Sequence, residues 1–218
     1  MLQDGWRSPP RPERKLLDGR YVRVEPLDPA THTDHLLASA QEAGADDRFR
    51  YLFEETPQDR AVLQAWTEKS SQSQDPLFFA VIDKRTGRAE GRQALMRIDE
   101  NNGVIEIGHI LWGPAIARSR ISTEAFYLAA DYIFGLGYRR FEWKCNNLNE
   151  PSKKAAARFG FQPEGVFRQH MVAKGQNRDT AWFSILDHEW PRLKAGYEAW
   201  LAPENFDADG QQRARLSF

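Results

Sequence analysis

The stretch from residue 104 to residue 145 constrains the fold of this chain more than any other part of its sequence. It begins with a strand pattern, VIEIGHILW, passes through an aperiodic break, GPAIARSR, into a helix predicted over 122–134, and ends in a second strand pattern, RRFEWKC. Gly135 and Gly137 predict the end of the helix. Two strands of one sheet joined through a helix form a βαβ crossover, which is right-handed in nearly all proteins.

Predicted hairpins lie on both sides of this crossover. The run LFFAVID, a turn containing RTG, and RAEGRQALMRID predict one hairpin, because β-branched and aromatic residues border a glycine-containing turn. Two closing strands, FQPEGVFRQHMVAKG and DTAWFSILD, are predicted around a turn at 174–178. Between the crossover and these strands, EPSKKAAARFG predicts a short helix with Pro151 in its first turn and Gly160 at its end.

Three further elements are predicted upstream. YVRVEPL favours a strand that Pro26 ends. THTDHLLASAQEAG predicts a helix capped by Asp28 or Thr31, and TPQDRAVLQAWTEKS predicts a helix capped by Thr56. The whole order predicts an α/β (α+β) fold in which helices flank a mixed, mostly antiparallel sheet of about seven strands.

The composition of the chain limits how many domains it can form and which partners it can bind. The 218 residues, 41% of them hydrophobic, suffice for one sizeable core, so we expect a single domain over 1–218. An arm over 1–20 is expected to lie on this domain, and a polar tail over 201–218 is expected to be mobile. The 30 basic and 31 acidic residues give a formal net charge of -1, which argues against nucleic acid or an anionic membrane as a partner.

The cysteine and histidine content limits which disulfides and metal sites the chain can form. The single cysteine, Cys145, excludes an internal disulfide framework, and the five histidines show no convincing metal-ligand spacing, so we predict no metal site. No apolar run suits a signal peptide or a membrane span, and we therefore expect a soluble cytoplasmic protein.

The junction between VIEIGHILW and the following helix is the first candidate binding site. A helix N-terminus offers free backbone N–H groups and a positive dipole end, which suit phosphate. The junction has neither GxGxxG nor a Walker lysine, so common dinucleotide and nucleoside triphosphate sites are not indicated. Arg118 and Arg120 lie at this N-terminus, where a cation is unfavourable unless an anion binds.

Three segments carry a resemblance to a known family: IGHILWGPAIARSRISTEA, NLNEPSKKAAARFGF and VFRQHMVAKGQNRDTAWFSIL. Together with the order of elements, they resemble the GNAT N-acetyltransferase superfamily over about 17–190, and the nearest branch resembles the ribosomal-protein N-terminal acetyltransferases. The resemblance implies an acetyl-CoA-dependent N-acetyltransferase. Its acceptor is a primary amine, on either a protein N-terminus or a small molecule, which attacks the thioester directly in a ternary complex.

The resemblance also assigns roles to individual residues. Ser152 would protonate the departing CoA thiolate, Asn149 would contact the cofactor, and a backbone N–H near Leu111 would stabilise the oxyanion. The remaining cofactor contacts that it implies are Arg118, Ser119, Arg120, Ile121, Ser122 and Thr123. Unlike the family's glycine-containing pyrophosphate loop, this chain has Ala115, Arg118 and Arg120, and we expect guanidinium contacts to replace backbone contacts there.

Four residues are candidates for the base that deprotonates the amine: Glu106, His109, His170 and Asp179. A regular strand would place Glu106 and His109 on opposite faces, unless a bulge intervenes. Each residue also has a structural interpretation: Glu106 as a solvated strand residue, the histidines as hydrogen-bonded packing residues, and Ser152 and Asn149 as helix-capping residues.

An alternative function follows from the missing loop glycines, namely a degenerate domain that binds acyl-CoA without catalysis or has lost the cofactor. A homodimer through the C-terminal strands or the arm is a further hypothesis.

Overall fold

An eight-stranded sheet organises the chain in a computed structural model, which describes residues 6–218. The strands are β1 (Leu17–Asp18), β2 (Val22–Pro26), β3 (Leu77–Asp83), β4 (Arg88–Asp99), β5 (Val104–Trp112), β6 (Arg140–Asn146), β7 (Gln162–Ala173) and β8 (Gln176–Leu186). The helices are α1 (Pro29–Ala40), α2 (Ala45–Phe49), α3 (Arg60–Gln72), α4 (Arg120–Gly135), α5 (Glu150–Arg158) and α6 (Trp190–Leu201). The strand order is β1-β2-β3-β4-β5-β6-β8-β7.

The predicted βαβ crossover is confirmed. β5 and β6 pair in parallel, with α4 between them in the chain, and every other pair of neighbouring strands is antiparallel. The α/β fold with a mixed, mostly antiparallel sheet is therefore confirmed. One more strand is present than the seven predicted, because Leu17 and Asp18 of the arm pair with β2.

Each face of the sheet has its own hydrophobic cluster. On one face, α4 and α6 contribute to a large core that includes Phe126, Phe141 and Tyr197, all fully buried. On the other face, α1 and α3 cover β3 and β4 through a smaller cluster around Leu36 and Phe78. On the second face of β6, Lys144 pairs with Glu142 and lies over the ring of Trp182 from β8, so this part of the sheet combines charged and aromatic side chains.

One local prediction is wrong, and two helices were missed. The second predicted helix begins at Arg60 with Asp59, not Thr56, as its N-cap, because the Asp59 carboxylate accepts the Val62 N–H at 3.0 Å. The sequence patterns did not predict the short helix α2 or the twelve-residue helix α6. Asp28, one of two proposed caps, does cap α1.

The tail is packed rather than mobile. Phe206 is 7% exposed and meets Trp200 edge-on, with ring centroids 5.0 Å apart. The Trp200 indole N–H also donates to the Ala214 carbonyl at 3.0 Å. Phe218 reaches back to Tyr197, with ring centroids 5.1 Å apart. Aromatic residues within a polar segment therefore suffice to anchor it.

Candidate active site

The central feature of the site is the divergence of β5 from β6. Their parallel pairing runs from Val104 and Arg140 to Glu106 and Glu142 and then ends. On the other side of β5, Gly108 faces Ala94 and Leu111 faces Arg92, so that His109 and Ile110 lie opposite Gln93 alone. This bulge coincides with a left-handed backbone at His109, with φ of 49°.

A cavity of about 140 Å³ lies at this divergence. The bulge interrupts the alternation of β5, and both Glu106 and His109 line the cavity instead of facing opposite sides. The sequence-predicted residues that line it are Glu106, His109, Asn149, Ser152 and His170. Cys145 and Arg178 line it as well.

Glu106 belongs to a buried ion-pair network. Its carboxylate lies 3.0 Å from Lys144 Nζ and 3.1 Å from Arg97 Nε. Lys144 also pairs with Glu142 at 2.7 Å. Burial raises the pKa of Glu106, and the opposing effect of the two cations does not cancel that rise. The carboxylate is therefore already engaged by two cations.

His109 lies beside a carboxylate that the sequence patterns did not single out. Glu54, from the loop after α2, has Oε1 3.4 Å from His109 Nδ1 and accepts a hydrogen bond from the Trp66 indole at 3.1 Å. Arg92, buried in β4, lies 3.4 Å from Glu54 Oε2 and donates to the His109 carbonyl at 3.1 Å. Glu54 and Arg92 thus hold both the ring and the backbone of His109.

The two remaining base candidates are held in hydrogen bonds. His170 Nδ1 lies 2.9 Å from Thr180 Oγ1. Asp179 accepts the Gln169 N–H at 2.8 Å and the Asn177 amide at 3.0 Å. These hydrogen bonds favour the charged form and therefore lower the pKa of Asp179. Asp179 does not line the cavity at the β5–β6 divergence.

The start of α5 forms the opposite wall. Asn149 is the N-cap, and its side-chain oxygen accepts the Ser152 N–H at 3.1 Å. Ser152 Oγ accepts the Trp143 indole N–H at 3.0 Å, and its own hydroxyl proton can be donated to the neighbouring Cys145 sulfur or to a ligand. Burial raises the pKa of the neighbouring Cys145 thiol, so this group stays neutral.

The N-terminus of α4 has the free donors that a phosphate site requires. Ser119 caps the helix by accepting the Ile121 N–H at 3.1 Å. Within residues 6–218, the backbone N–H groups of Arg118, Arg120 and Ser122 have no hydrogen-bond acceptor. The side chains of Ser122 and Thr123 bond back to the Ser119 carbonyl, at 3.1 and 2.8 Å. Backbone groups, rather than these hydroxyls, are therefore the free donors.

The two loop arginines differ in environment. Arg118 is exposed and has a left-handed backbone, with φ of 59°. Arg120 instead packs its guanidinium over Tyr21 at 4.4 Å and over Phe206 at 5.2 Å from the ring centroids. Arg120 is thus already held by aromatic rings, whereas Arg118 is free to approach a ligand.

Leu111 lies beside a second cavity rather than the first. This second cavity measures about 430 Å³ and is bounded by α1, α3, the loop after α2 and the β4–β5 bulge. Leu36, Phe49, Leu63 and Trp66 make much of its wall apolar. Its floor includes Arg92 and Glu54, and the Glu54–His109 pair therefore separates the two cavities.

Comparison with known proteins identifies the fold. Residues 22–162 match the model of the acetyltransferase (GNAT) domain. The chain belongs to the GNAT acetyltransferase family. It is similar to a GCN5-related N-acetyltransferase from Brucella melitensis, at 59% identity and a TM-score of 0.96, covering 98% of this chain and 97% of the other.

Two further GNAT relatives are more distant. The uncharacterized N-acetyltransferase p20 of Bacillus licheniformis is 34% identical over 143 residues, or 63% of this chain and 77% of the relative. The microcin C7 self immunity acetyltransferase MccE, solved with acetyl-CoA and AMP, shares the fold at 19% identity and a TM-score of 0.67, over 77% of this chain and 93% of that one. Members of the GNAT family are acetyltransferases that use acetyl-CoA, and this chain is therefore an acetyltransferase.

Three charged residues in or beside the cavity at the β5–β6 divergence were not indicated by the sequence. Glu54, Arg92 and Arg178 were not predicted, because a loop glutamate and two strand arginines form no local motif and come together only through the fold.

Within the part of the chain that the structure describes, no three His, Cys, Asp or Glu side chains converge as metal ligands. None of the helices there combines the length and hydrophobicity needed to cross a membrane.

Proposed function

We propose that this GNAT protein transfers the acetyl group of acetyl-CoA directly to a primary amine, with both substrates bound together. The observation that supports this proposal is the cavity at the divergence of β5 and β6, where groups from both strands and from α5 meet. The acceptor is a protein N-terminus or a small-molecule amine. Acetyl-CoA supplies an activated acetyl group; a C–N bond forms and the C–S bond breaks.

Binding of the cosubstrate is assigned to the α4 N-terminus. The free N–H groups of Arg118, Arg120 and Ser122, together with the helix dipole, suit a pyrophosphate. The exposed Arg118 guanidinium adds a charged donor. Beyond Glu106, β5 has diverged from β6, and a backbone N–H of this diverged segment near Leu111 remains our predicted oxyanion donor.

Proton transfer is assigned to residues on opposite walls. An attacking amine must be neutral, so a base has to take its proton. We assign that role to His109, because Glu54 lies at Nδ1 and leaves Nε2 as the nitrogen that can accept the proton. Glu106 is held by Lys144 and Arg97 and is the alternative base. Ser152 then gives its hydroxyl proton to the departing thiolate.

The test is release of the CoA thiol in the presence of a panel of amines that includes short peptides with free N-termini and small primary amines. Ser152→Ala and His109→Gln should each lower kcat by about 100-fold or more, which is typical for the loss of an acid or base. Acetyl-CoA should still raise the melting temperature of both variants. Ser8→Ala, at an exposed position, is the matched control and should behave as wild type. An unchanged kcat in His109→Gln would reassign the base.

A second candidate is an acyl-CoA-binding module without turnover. The observation that favours it is the pyrophosphate loop without glycine at 115, 118 and 120, in which Arg120 is engaged by Tyr21 and Phe206. A rise in melting temperature with acetyl-CoA, but no thiol release with any amine, would select this function.

A further inference from the structure

The cavity at the β5–β6 divergence has more positive than negative charge on its walls. Arg48, Arg97, Lys144 and Arg178 line it, against the single carboxylate of Glu106. Arg97 and Lys144 both pair with Glu106, and Arg48 donates to carbonyl groups at the end of α1. Among the described residues, Arg178 has neither a carboxylate nor a carbonyl partner of this kind.

Arg178 is a buried cation without an ion-pair partner among the described residues. The residue is only 9% exposed, on β8. Its Nε donates to Thr180 Oγ1 at 3.3 Å, and its guanidinium carbon lies 5.4 Å from the centre of the Phe53 ring. Among residues 6–218, no carboxylate oxygen lies within 4.0 Å of its nitrogens. Burial lowers the pKa of Arg178, and the charge of Glu106, which lies beyond ion-pair distance, does not cancel that effect.

An unpaired buried guanidinium is costly, and a ligand anion would offset that cost. The planar guanidinium suits a carboxylate, which it can bind through two parallel hydrogen bonds. Arg178 lines the same cavity as His109 and Ser152, so the anion would lie beside the reacting groups.

The pyrophosphate of the cosubstrate does not account for this anion. Its proposed site is the N-terminus of α4, and none of the residues 113–123 lines the cavity that contains Arg178. We therefore assign an anion at Arg178 to the other substrate.

We infer that the acceptor is an amine that also carries a carboxylate, and that Arg178 binds this carboxylate while the amine faces His109. This inference rests on the proposed acetyl transfer and specifies its substrate class: amino acids and related amino carboxylates. Acceptors with only positive charges, such as polyamines, fit this cavity poorly because its cations outnumber its carboxylates.

The test compares L-amino acids with the corresponding amino-acid amides as acceptors. Amides differ in amine reactivity, so the decisive quantity is how the acid-to-amide ratio of kcat/KM changes between wild type and variant. Arg178→Gln should lower kcat/KM for the acids by about 10- to 100-fold, the effect of losing a charged hydrogen-bond donor. The amides should be nearly unaffected, as should the KM for acetyl-CoA.

Arg178→Lys is the conservative variant in this test, and Arg168→Gln is the control. Arg178→Lys keeps the charge without the planar fork and should retain part of the preference for acids. Arg168 is an exposed arginine on the neighbouring strand β7, and Arg168→Gln should match wild type. In all variants, circular dichroism and the melting temperature report folding, and the wild-type preference for acids is itself a test that needs no variant.

Failure of the carboxylate subsite and failure of acetyl transfer give different results. Equal use of acids and amides by wild type, or equal losses for both in Arg178→Gln, would overturn the carboxylate subsite and leave acetyl transfer intact. Inhibition of amide acetylation by acetate in wild type, but not in Arg178→Gln, would support the subsite further. Absence of acetylation with every amine would overturn the proposed function and the subsite together.

Discussion

Glu54 carries a largely buried carboxylate whose surroundings give the fold an acid dependence. Burial alone would raise its pKa, but the hydrogen bond with His109 and the charge of Arg92 together hold the pKa of Glu54 below its ordinary value. A carboxylate with a lower pKa in the folded than in the unfolded chain stabilises the fold above the unfolded pKa of about 4.3. That stabilisation is lost as the pH falls towards the folded pKa.

Glu54→Gln should lower the free energy of unfolding by about 1–3 kcal/mol near neutral pH, because Arg92, which is buried, loses its counter-charge. The variant should also show a smaller loss of stability below about pH 4 than wild type. Urea unfolding near neutral pH and at about pH 3.5 measures both effects.

Glu55→Gln is the matched control for this prediction. The Glu55 side chain is 78% exposed and pairs with Lys174 at the surface, so its loss should cost less than about 1 kcal/mol. The same acid dependence in wild type and in both variants would contradict the assignment of a depressed pKa to Glu54.

At the level of elements, the sequence predicted most of the sheet. The bounds of β5 agree with its strand pattern, and the hairpin of β3 and β4 follows its aromatic and β-branched runs. The missed helix α6 did have a signal, since Trp190, Leu193, Tyr197 and Trp200 recur at helical spacing and are all buried. The two residues of β1 are too few to show a period.

The sequence indicated several cavity residues but not how they come together. The helix pattern located the start of α5, the family resemblance pointed to Asn149 and Ser152 there, and both line the cavity. The bulge at His109 depends on the register between β4 and β5, which the alternation within a single strand does not encode. Glu54 and Arg178 reach the cavity from a loop and from β8, and only the tertiary fold brings them there.

At the N-terminus of α4, variants of Arg118 can distinguish whether its guanidinium or the backbone N–H groups bind the cosubstrate phosphates. The left-handed backbone of Arg118 costs about 1–3 kcal/mol in a residue other than glycine. Arg118→Ala removes the guanidinium and keeps the strained backbone, whereas Arg118→Gly removes both. If the guanidinium binds phosphate, both variants should bind acetyl-CoA about 10-fold more weakly by calorimetry.

The melting temperature without ligand is the second measurement on Arg118→Ala and Arg118→Gly. Arg118→Gly should unfold at a higher temperature than Arg118→Ala, because glycine adopts the left-handed conformation without strain. Wild-type affinity in Arg118→Ala would show that the free backbone N–H groups bind the cosubstrate without the guanidinium. Arg120→Ala should instead lower the melting temperature without ligand, since it removes the packing against Tyr21 and Phe206.

At the scale of the whole molecule, the C-terminal segment connects elements that are distant in sequence. Phe206 lies between Trp200 of α6 and Tyr21 beside β2, with ring centroids 5.0 and 5.8 Å away. It also contacts Arg120 at the start of α4, which is the proposed cosubstrate site. The tail therefore supports the helix whose N-terminus is proposed to bind pyrophosphate.

Phe206→Ala should therefore lower the free energy of unfolding by about 3–5 kcal/mol, the usual cost of removing a buried phenylalanine. Phe218→Ala is the matched comparison within the same segment; its side chain is 37% exposed, and it should cost about 1–2 kcal/mol. Urea unfolding of the full chain measures both. Similar losses in the two variants would contradict the central position of Phe206, and losses below about 1 kcal/mol in both would mean that the tail does not stabilise the fold in solution.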